Sequence, residues 1–364
     1  MGILRLLLAL SVVAVHSQSI LGINLVGGQT AVQVFYMISG FYMALVLMEK
    51  YGFSKGSYKL FLGNRFLKLY PIYWINLLIV LLISIGGLVI VKNGYHFTWY
   101  IEYVSKMKLG TLLFFVVTNL VIFGQDLVMF LQLDKLGNLI PAVNFRLTDP
   151  PLYRFLFVEQ AWTIALEMTF YLLAPFLVKQ KTKWLMLLIG LSFGLRIILY
   201  KIGFNNDPWK YRFFPLELGM FLVGVMGYRI YGRLKNRTIP EWFLRVVYGV
   251  VILATFIYPL IQRDGSKMWG YYLLVVISLP FIFRLFKNNK IDRFIGELSY
   301  PVYLCHFWVA FVIMDLIKIR NWSTGILVAL GSIGVSLLIV KLVVEPIDKI
   351  RQKRVAGSGN GFAN

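Results

Sequence analysis

Long apolar segments recur along almost the entire chain, and this repetition constrains the fold more than any other feature of the sequence. Each segment holds roughly 18 to 23 residues, close to the length that an α-helix needs to cross a ~30 Å hydrocarbon layer. Only 15% of the residues are charged and 59% are hydrophobic, whereas soluble domains have about 25% charged residues. The sequence therefore predicts an all-α fold, a polytopic transmembrane helical bundle.

The loops between these segments indicate how the chain is oriented. Lysine and arginine concentrate in every second loop, and cytoplasmic loops of membrane proteins carry an excess of these residues. This pattern places both termini in the cytoplasm, and it accounts for most of the net charge of +21 without nucleic acid as a partner. We expect the remaining positive charge to serve an anionic ligand on the cytoplasmic side. The predicted spans number ten, at residues 3–22, 30–48, 69–91, 162–179, 183–202, 213–232, 246–262, 269–286, 298–317 and 324–344.

Residues 111–131 form a further apolar segment that does not fit this layout. As a full span it would move the loop KQKTK and every later basic loop to the other side of the membrane. We therefore place residues 93–161 outside, with 111–131 as a re-entrant or hairpin element. A layout with eleven spans stays open. We assign residues 1–350 to the integral-membrane domain and residues 351–364 to a basic, then disordered cytoplasmic tail.

Three ionisable side chains lie inside predicted spans, away from the helix ends: His16, Glu167 and His306. Such groups are costly in the hydrocarbon layer and by default indicate function. Arg5 lies eleven residues before His16 on the first helix, which is about 16 Å along the axis and close to three full turns. One helix face therefore presents a cation near the inner surface and an acid–base group at greater depth.

Plainer interpretations of these residues stay open. The first segment has the basic start and apolar stretch of a secretory signal peptide, which would be removed together with His16, but the further spans along the rest of the chain decide against this interpretation. Arg5 alone fits a topology charge at the interface, and His16 and His306 alone fit hydrogen bonds between helices. We assign no role to His96. Cys305 is the only cysteine in the sequence, so we expect neither an internal disulfide nor a cysteine metal site.

Short motifs occur in a fixed order along the chain: the Arg5–His16 spacing, ISGF at 38–41, RFLKLYPIYW at 65–74, WTIALE at 162–167, FFPLELGMFLVG at 213–224, GELSYPVYLCHFW at 296–308 and VEPIDKIR at 344–351. Together they resemble the membrane-bound acyltransferase 3 family over about residues 3–350. Two positions depart from the family pattern: Thr163 replaces a serine, and Lys68 replaces the second arginine of an RxxR motif. The lysine keeps the charge but cannot hold a phosphate in a bidentate manner.

The resemblance implies an O-acyltransferase with a ten-helix core that modifies polysaccharides or other envelope glycans in a bacterial-type inner (plasma) membrane. It also implies an acyl-CoA donor, with acetyl-CoA expected, that approaches from the cytoplasm without a metal ion. Basic side chains suit the phosphates of such a donor. We assign donor binding to five residues: Arg5, Arg65, Lys68, His306 and Tyr300.

In this interpretation His16 is the general base that acts on an acceptor hydroxyl. A neutral imidazole suits this task near pH 7, and burial would keep it neutral. Glu167 orients either the imidazole or the sugar, and Trp162, Tyr171 and Ser39 bind substrate. A covalent route in which the acyl group passes through His16 stays open.

Two other classes of protein compete with this interpretation. A proton-coupled transporter or flippase would use His16, Glu167 and His306 as an intramembrane relay, and a membrane scaffold would need no chemistry. The expected acceptor is a glycan or a lipid-linked sugar, and the lipid bilayer is the other expected partner; a homo-oligomer stays open. Side chains of the outer segment suit sugar stacking and hydrogen bonding, and they fit lipid-exposed packing nearly as well: Tyr95, Trp99, Tyr100, Asn119, Gln125, Asn138 and Asn144.

Overall fold

The structure, a computed structural model, describes residues 1–262 and 265–357 of the chain, and it is 77% helical. Strands β1 (Leu131–Leu133) and β2 (Leu139–Pro141) pair in an antiparallel manner, with Gln132 opposite Ile140. The α-helices of the described residues are α1 (Gly2–His16), α2 (Gly28–Val46), α3 (Lys55–Val91), α4 (His96–Tyr103), α5 (Leu109–Val121), α6 (Trp162–Val178), α7 (Thr182–Lys201), α8 (Phe214–Leu234), α9 (Glu241–Ile257), α10 (Gly265–Phe286), α11 (Lys290–Phe311), α12 (Thr324–Ile339) and α13 (Glu345–Ala356).

Helices long enough to cross a membrane dominate the fold, which confirms the predicted all-α, polytopic class. Two of the predicted spans correspond to helices that are shorter or more highly charged. Helix α1 has 15 residues, and α8 carries Glu217, Arg229 and Arg233, so the count of ten spans stays a prediction. Eight helices of the described ranges are long and apolar enough to span: Gly28–Tyr51, Gly56–Ile90, Glu159–Val178, Thr182–Lys201, Glu241–Leu260, Gly265–Phe286, Lys290–Leu316 and Thr324–Ala356.

The first helix ends at His16 rather than at residue 22. The chain then turns back on itself, because Ile20 and Ile23 exchange backbone hydrogen bonds of 3.1 and 3.0 Å. Leu21 and Gly22 between them have positive φ angles of 54° and 79°. Hydropathy does not detect this turn, since the residues that form it are themselves apolar.

Helix α5 ends at Val121, in the middle of the segment 111–131 that the loop charges excluded as a span. Its 13 residues reach about 20 Å, and Ile122 at its end has a φ of 64°. The segment therefore does not form one continuous helix that could cross a ~30 Å hydrocarbon layer. Residues 127–130 continue as a 3₁₀-helix that leads into β1.

Aromatic side chains of α3 cap the carboxyl end of α5. The last carbonyl groups of a helix lack partners within the helix, and unsatisfied carbonyls are costly in apolar surroundings. Side-chain donors remove this cost, so the end of α5 is compatible with a position inside a membrane protein, as a re-entrant element requires. The three hydrogen bonds run from Tyr73 to the carbonyl of Asn119, from Trp74 to that of Leu120 and from Tyr70 to that of Val121.

The chain divides into two compact units. Unit 1 contains Met1–Leu69, Leu173–Ile189 and the residues from Gly219 onward, and unit 2 contains Tyr70–Leu172 and Gly190–Leu218. His16 and His306 belong to unit 1, whereas Glu167, Trp162 and Tyr171 belong to unit 2.

In unit 1, α1 and α11 pack side by side in the same direction. At one end, the α-amino group of Met1 and the backbone N–H of Gly2 donate to the carboxylate of Asp292 at 2.6 and 2.8 Å. At the other end, His16 lies against His306. The parallel packing therefore holds one face of α1 against α11 over its whole length. The apolar core along it consists of Ala9, Val13, Val302, Cys305, Val309, Ala310, Val328 and Ala329.

Helices α2 and α8 cross in backbone contact within unit 1. A Cβ atom on Gly40 would lie 1.9 Å from the carbonyl oxygen of Phe221, and one on Gly224 would lie 1.9 Å from that of Met37. Small residues allow such close approach between membrane helices. This crossing explains the glycine of the ISGF motif, and it leaves the adjacent Ser39 only 8% exposed.

Candidate active site

His16 is the last residue of α1, and its side chain is exposed. The structure thus differs from the expectation that burial keeps this imidazole neutral. The physical reason is that α1 ends here and the polar residues Ser17 and Gln18 follow. The neighbouring His306, in contrast, is buried, with 0% of its surface exposed.

Hydrogen bonds assign the tautomers of the two histidines. Nδ1 of His306 lies 2.7 Å from the carbonyl oxygen of Tyr303, and because a carbonyl can only accept, Nδ1 carries the proton. Nε2 of a neutral His306 is therefore an acceptor. It lies 3.2 Å from Nδ1 of His16, so His16 donates from Nδ1. A neutral His16 then keeps its lone pair on Nε2.

Helix α11 thus fixes both the tautomer and the orientation of His16. The ring of Phe307 lies 4.6 Å from that of His16 and restricts its tilt from the same helix. A general base needs a lone pair that can reach the proton it removes, and Nε2 of an exposed imidazole meets that need. The sequence placed His306 at the donor, but the structure places it against His16.

Arg5 lies against the same helix three turns earlier. Nη1 of Arg5 is 3.1 Å from the position that a Cβ on Gly296 would occupy, and the Cα of Gly2 is 3.0 Å from it. A side chain at position 296 would therefore require one of these groups to shift. Arg5 and His16 therefore do project from one face of α1, as their spacing predicts.

Cations from three helices surround Glu297 of α11. Nζ of Lys68 is 3.6 Å from Oε1 of Glu297, and both side chains are about one quarter exposed, at 25% and 24%. Arg5 and Arg351 also act electrostatically on Glu297, and Arg65, itself 8% exposed, acts on Lys68. We call Arg5, Arg65, Lys68, Arg351 and Glu297 the basic cluster. The structure thus brings together three residues that the sequence assigned to the donor, and it adds two that the sequence analysis missed.

Tyr300 lies next to this cluster, but its hydroxyl is already engaged. It donates to the carbonyl oxygen of Leu69 at 3.0 Å, directly after Lys68 in the chain. The hydroxyl therefore holds α11 against α3. The sequence assigned Arg351 no ligand because it lies in the basic segment DKIRQKR after the last predicted span, whose charge topology explains. Glu297 received no role because it stands between two motif residues.

In unit 2, Glu167 and Tyr171 form a pair on α6, in which the hydroxyl of Tyr171 donates to the carboxylate of Glu167. Trp162, at the start of the same helix, is only 6% exposed. The guanidinium of Arg212 covers one face of its indole at 4.0 Å from the ring centroid, and Asp207 holds that guanidinium through Nε at 2.5 Å. A sugar that stacks on Trp162 would have to use the opposite face.

Unit 2 also contains buried or partly buried titratable groups to which the sequence assigned no role, among them His96, Asp126 and Glu159. Nδ1 of His96 lies 3.0 Å from the carbonyl of Arg154, and burial lowers the pKa of His96 to about 4. Burial raises the pKa of Asp126 to about 6. Oε2 of Glu159 has no hydrogen-bond partner within the described ranges. None of the described residues form a group of three or more His, Cys, Asp or Glu side chains suited to a metal ion.

The chain belongs to the acyltransferase 3 family, because the acyltransferase domain of that family matches residues 1–341. Membership accounts for the order of the motifs and for a histidine at the end of the first helix. No solved structure matches the chain.

Curated relatives with O-acetyltransferase names cover much of the chain. It is 23% identical to the peptidoglycan O-acetyltransferase OatA of Listeria monocytogenes over 369 aligned residues, which cover 93% of this chain and 52% of the relative. It is also 23% identical to a Staphylococcus aureus (strain COL) protein named "Putative O-acetyltransferase", over 78% of this chain and 46% of the relative. The chain therefore spans about half the length of these relatives.

Proposed function

We propose that the protein transfers an acetyl group from a cytoplasmic acyl-CoA donor to a hydroxyl of a glycan or lipid-linked sugar at the outer side of the membrane. The observation that carries this proposal is the His16–His306 pair, because it selects the tautomer of an exposed His16 in which Nε2 is the unprotonated nitrogen. Membership of the acyltransferase 3 family and the O-acetyltransferase names of the relatives support the reaction class.

With His16 as the base, each bond and each proton of the transfer is accounted for. Nε2 of His16 takes the proton of the acceptor hydroxyl while the oxygen attacks the thioester carbonyl of the donor. The new C–O bond forms, the C–S bond breaks, and the leaving thiolate takes the proton back from the imidazolium. His16 donates from Nδ1 to His306 throughout, so His306 stabilises the imidazolium without accepting a second proton.

The basic cluster supports a donor site at the opposite end of α1. Arg5 and His16 are about 16 Å apart along the helix axis, and an extended pantetheine arm can bridge such a distance. Phosphates held at Arg5 would therefore allow the thioester to reach His16. Glu167, Trp162 and Tyr171 stay predicted contributors, with the outer segment as the predicted source of acceptor contacts.

Labelled donor tests the activity directly. The purified protein in lipid nanodiscs is supplied with acetyl-CoA labelled in the acetyl group and with oligosaccharide or lipid-linked sugar acceptors, and mass spectrometry detects the products. Acetylated sugar together with free CoA is the expected result. Transport of a sugar or proton without acetyl transfer would instead support the transporter interpretation.

Rapid quench without acceptor separates the two chemical routes. Direct transfer predicts that no acetyl label stays on the protein. Label that is retained by the wild type and absent from His16→Ala would support an acetyl-histidine intermediate.

A further inference from the structure

The carboxyl-terminal helix α13 packs against the segment of α3 that carries Arg65 and Lys68. Nδ2 of Asn64 lies 3.5 Å from the backbone carbonyl of Arg351. One residue earlier in α3, Nη2 of Arg354 is 2.8 Å from the position that a Cβ on Gly63 would occupy. These two contacts place the backbone of α13 next to residues 65–68 of α3, which we call the RxxK segment.

The side chain of Arg351 is held by an ion pair, but one of its hydrogen-bond donors has no partner within the described residues. It is 13% exposed, and its Nη1 contacts the carboxylate of Asp348, which is 33% exposed. Its buried Nε has no hydrogen-bond partner within the part of the chain that the structure describes. The guanidinium therefore retains a donor that a ligand could satisfy.

Charge around Arg351 is not balanced. The basic cluster and Asp348 together contain four cations, Arg5, Arg65, Lys68 and Arg351, against the carboxylates of Glu297 and Asp348. Charges removed from water need opposite charges nearby. Within this set the cations outnumber the carboxylates, and such an excess in a partly buried cluster favours a polyanionic ligand.

We propose that Arg351 binds a phosphate group of the CoA-type donor and supplies the guanidinium that the RxxK segment lacks. This inference rests on the proposed function, which provides the donor. Lysine offers a point charge, whereas arginine offers a planar fork that matches two phosphate oxygens. Arg351, placed beside Lys68, restores that fork from a different helix. A phosphate bound here would contact cations of α3 and α13 at once.

Binding of CoA to the full chain in neutral-lipid nanodiscs tests this inference. Hydrogen bonds to charged groups contribute enough that Arg351→Gln should weaken CoA binding at least about tenfold. Pantetheine, which lacks phosphates, should bind equally to the wild type and to this variant. In turnover, Arg351→Gln should raise the KM for the donor and leave kcat unchanged.

Three variants serve as controls. Lys353→Gln removes an equal charge from an exposed position of the same helix and should leave the affinity for CoA unchanged. Arg351→Lys should bind CoA nearly as weakly as Arg351→Gln, since lysine keeps the charge but lacks the planar fork of arginine. Lys68→Arg in the Arg351→Gln background should recover most of the affinity.

The outcomes separate this inference from the proposed function. A wild type that binds no CoA overturns the proposed function and this inference together. If the wild type binds CoA and Arg351→Gln binds it as tightly as Lys353→Gln does, only the role of Arg351 is wrong. If Arg351→Gln weakens only the retention of anionic lipid, measured in nanodiscs with phosphatidylglycerol, the phosphate belongs to a lipid and the inference is equally wrong.

Discussion

His306 accepts a hydrogen bond from His16 across 3.2 Å, and the carbonyl of Tyr303 holds the other nitrogen of His306 as a donor. This chain of contacts leaves one tautomer for a neutral His16. We therefore propose the buried histidine as a positioning residue and the exposed one as the base.

Substitution of His306 tests the positioning role. His306→Ala removes the acceptor for Nδ1 of His16, so the lone pair is no longer confined to Nε2. We expect kcat to fall roughly 100-fold, within the range for loss of general-base catalysis, with the KM for the donor unchanged. His306→Gln offers an amide oxygen that can accept from His16 and should recover part of kcat. Equal activity of the wild type and His306→Ala across the pH range would contradict the role.

Gly296 controls the position of Arg5. A Cβ at this position would lie 3.1 Å from Nη1 of Arg5, so Gly296→Ala should displace the guanidinium from α11. We expect the KM for the donor to rise several-fold, because a hydrogen bond to a charged group contributes about 1.5–3 kcal/mol and is only partly lost. Gly334→Ala is the matched control, since a Cβ there meets nothing within 4 Å. Steady-state kinetics that do not distinguish the two variants would contradict this placement.

The crossing of α2 and α8 predicts a stability effect at Gly40. A methyl group 1.9 Å from the carbonyl oxygen of Phe221 cannot be accommodated unless the backbones separate. Gly40→Ala should therefore lower the melting temperature strongly, with a loss of at least about 2 kcal/mol, typical of overpacking. Gly190→Ala, where a Cβ meets nothing within 4 Å, should change it little. A stable Gly40→Ala protein would show that the two helices do not touch here.

We expect the buried His96 to make the folded protein less stable in acid. Its pKa falls from 6.5 to about 4 on burial in the folded protein, so the unfolded chain binds the proton first and stability decreases as the pH falls from 6.5 towards 4. The loss is at most about 3 kcal/mol. Asp126, with a pKa raised to about 6, acts in the opposite direction, because its protonation below pH 6 favours the folded state.

Melting curves at pH 7 and pH 4.5 distinguish these two contributions. His96→Asn can still donate to the carbonyl of Arg154 and should reduce the loss on acidification. Asp126→Asn should increase it, since the compensating protonation is gone. The same change in melting temperature for all three proteins would contradict the burial of His96.

The sequence predicted the helices but not how they meet. Apolar segments and loop charges locate spans because they report directly on transfer into the hydrocarbon layer. The shared face of Arg5 and His16 followed from helix periodicity and holds in the structure. The contact of His16 with His306 did not follow, because it joins residues 290 positions apart and depends on the parallel packing of α1 and α11.

Two features of the site could not be predicted from the sequence. The end of α1 at His16 depends on backbone turns at Leu21 and Gly22 that apolar residues conceal. The approach of α13 to α3 depends on helix packing, and the charge of Arg351 was already explained by topology. In the tail, α13 continues to Ala356 beyond the predicted domain end at 350. Of the segment 356–364 that was predicted to be disordered, residues 358–364 lie outside the described residues.

Single-turnover acetyl transfer by His16→Ala tests the central claim most directly. The variant should fold and insert like the wild type, because the side chain is exposed at a helix end. His96→Asn, which alters the histidine to which the mechanism assigns no role, is the control. We predict that His16→Ala loses at least about 100-fold in the transfer rate, whereas His96→Asn keeps the wild-type rate at pH 7. Transfer by His16→Ala within a few-fold of the wild-type rate would contradict the assignment of the base.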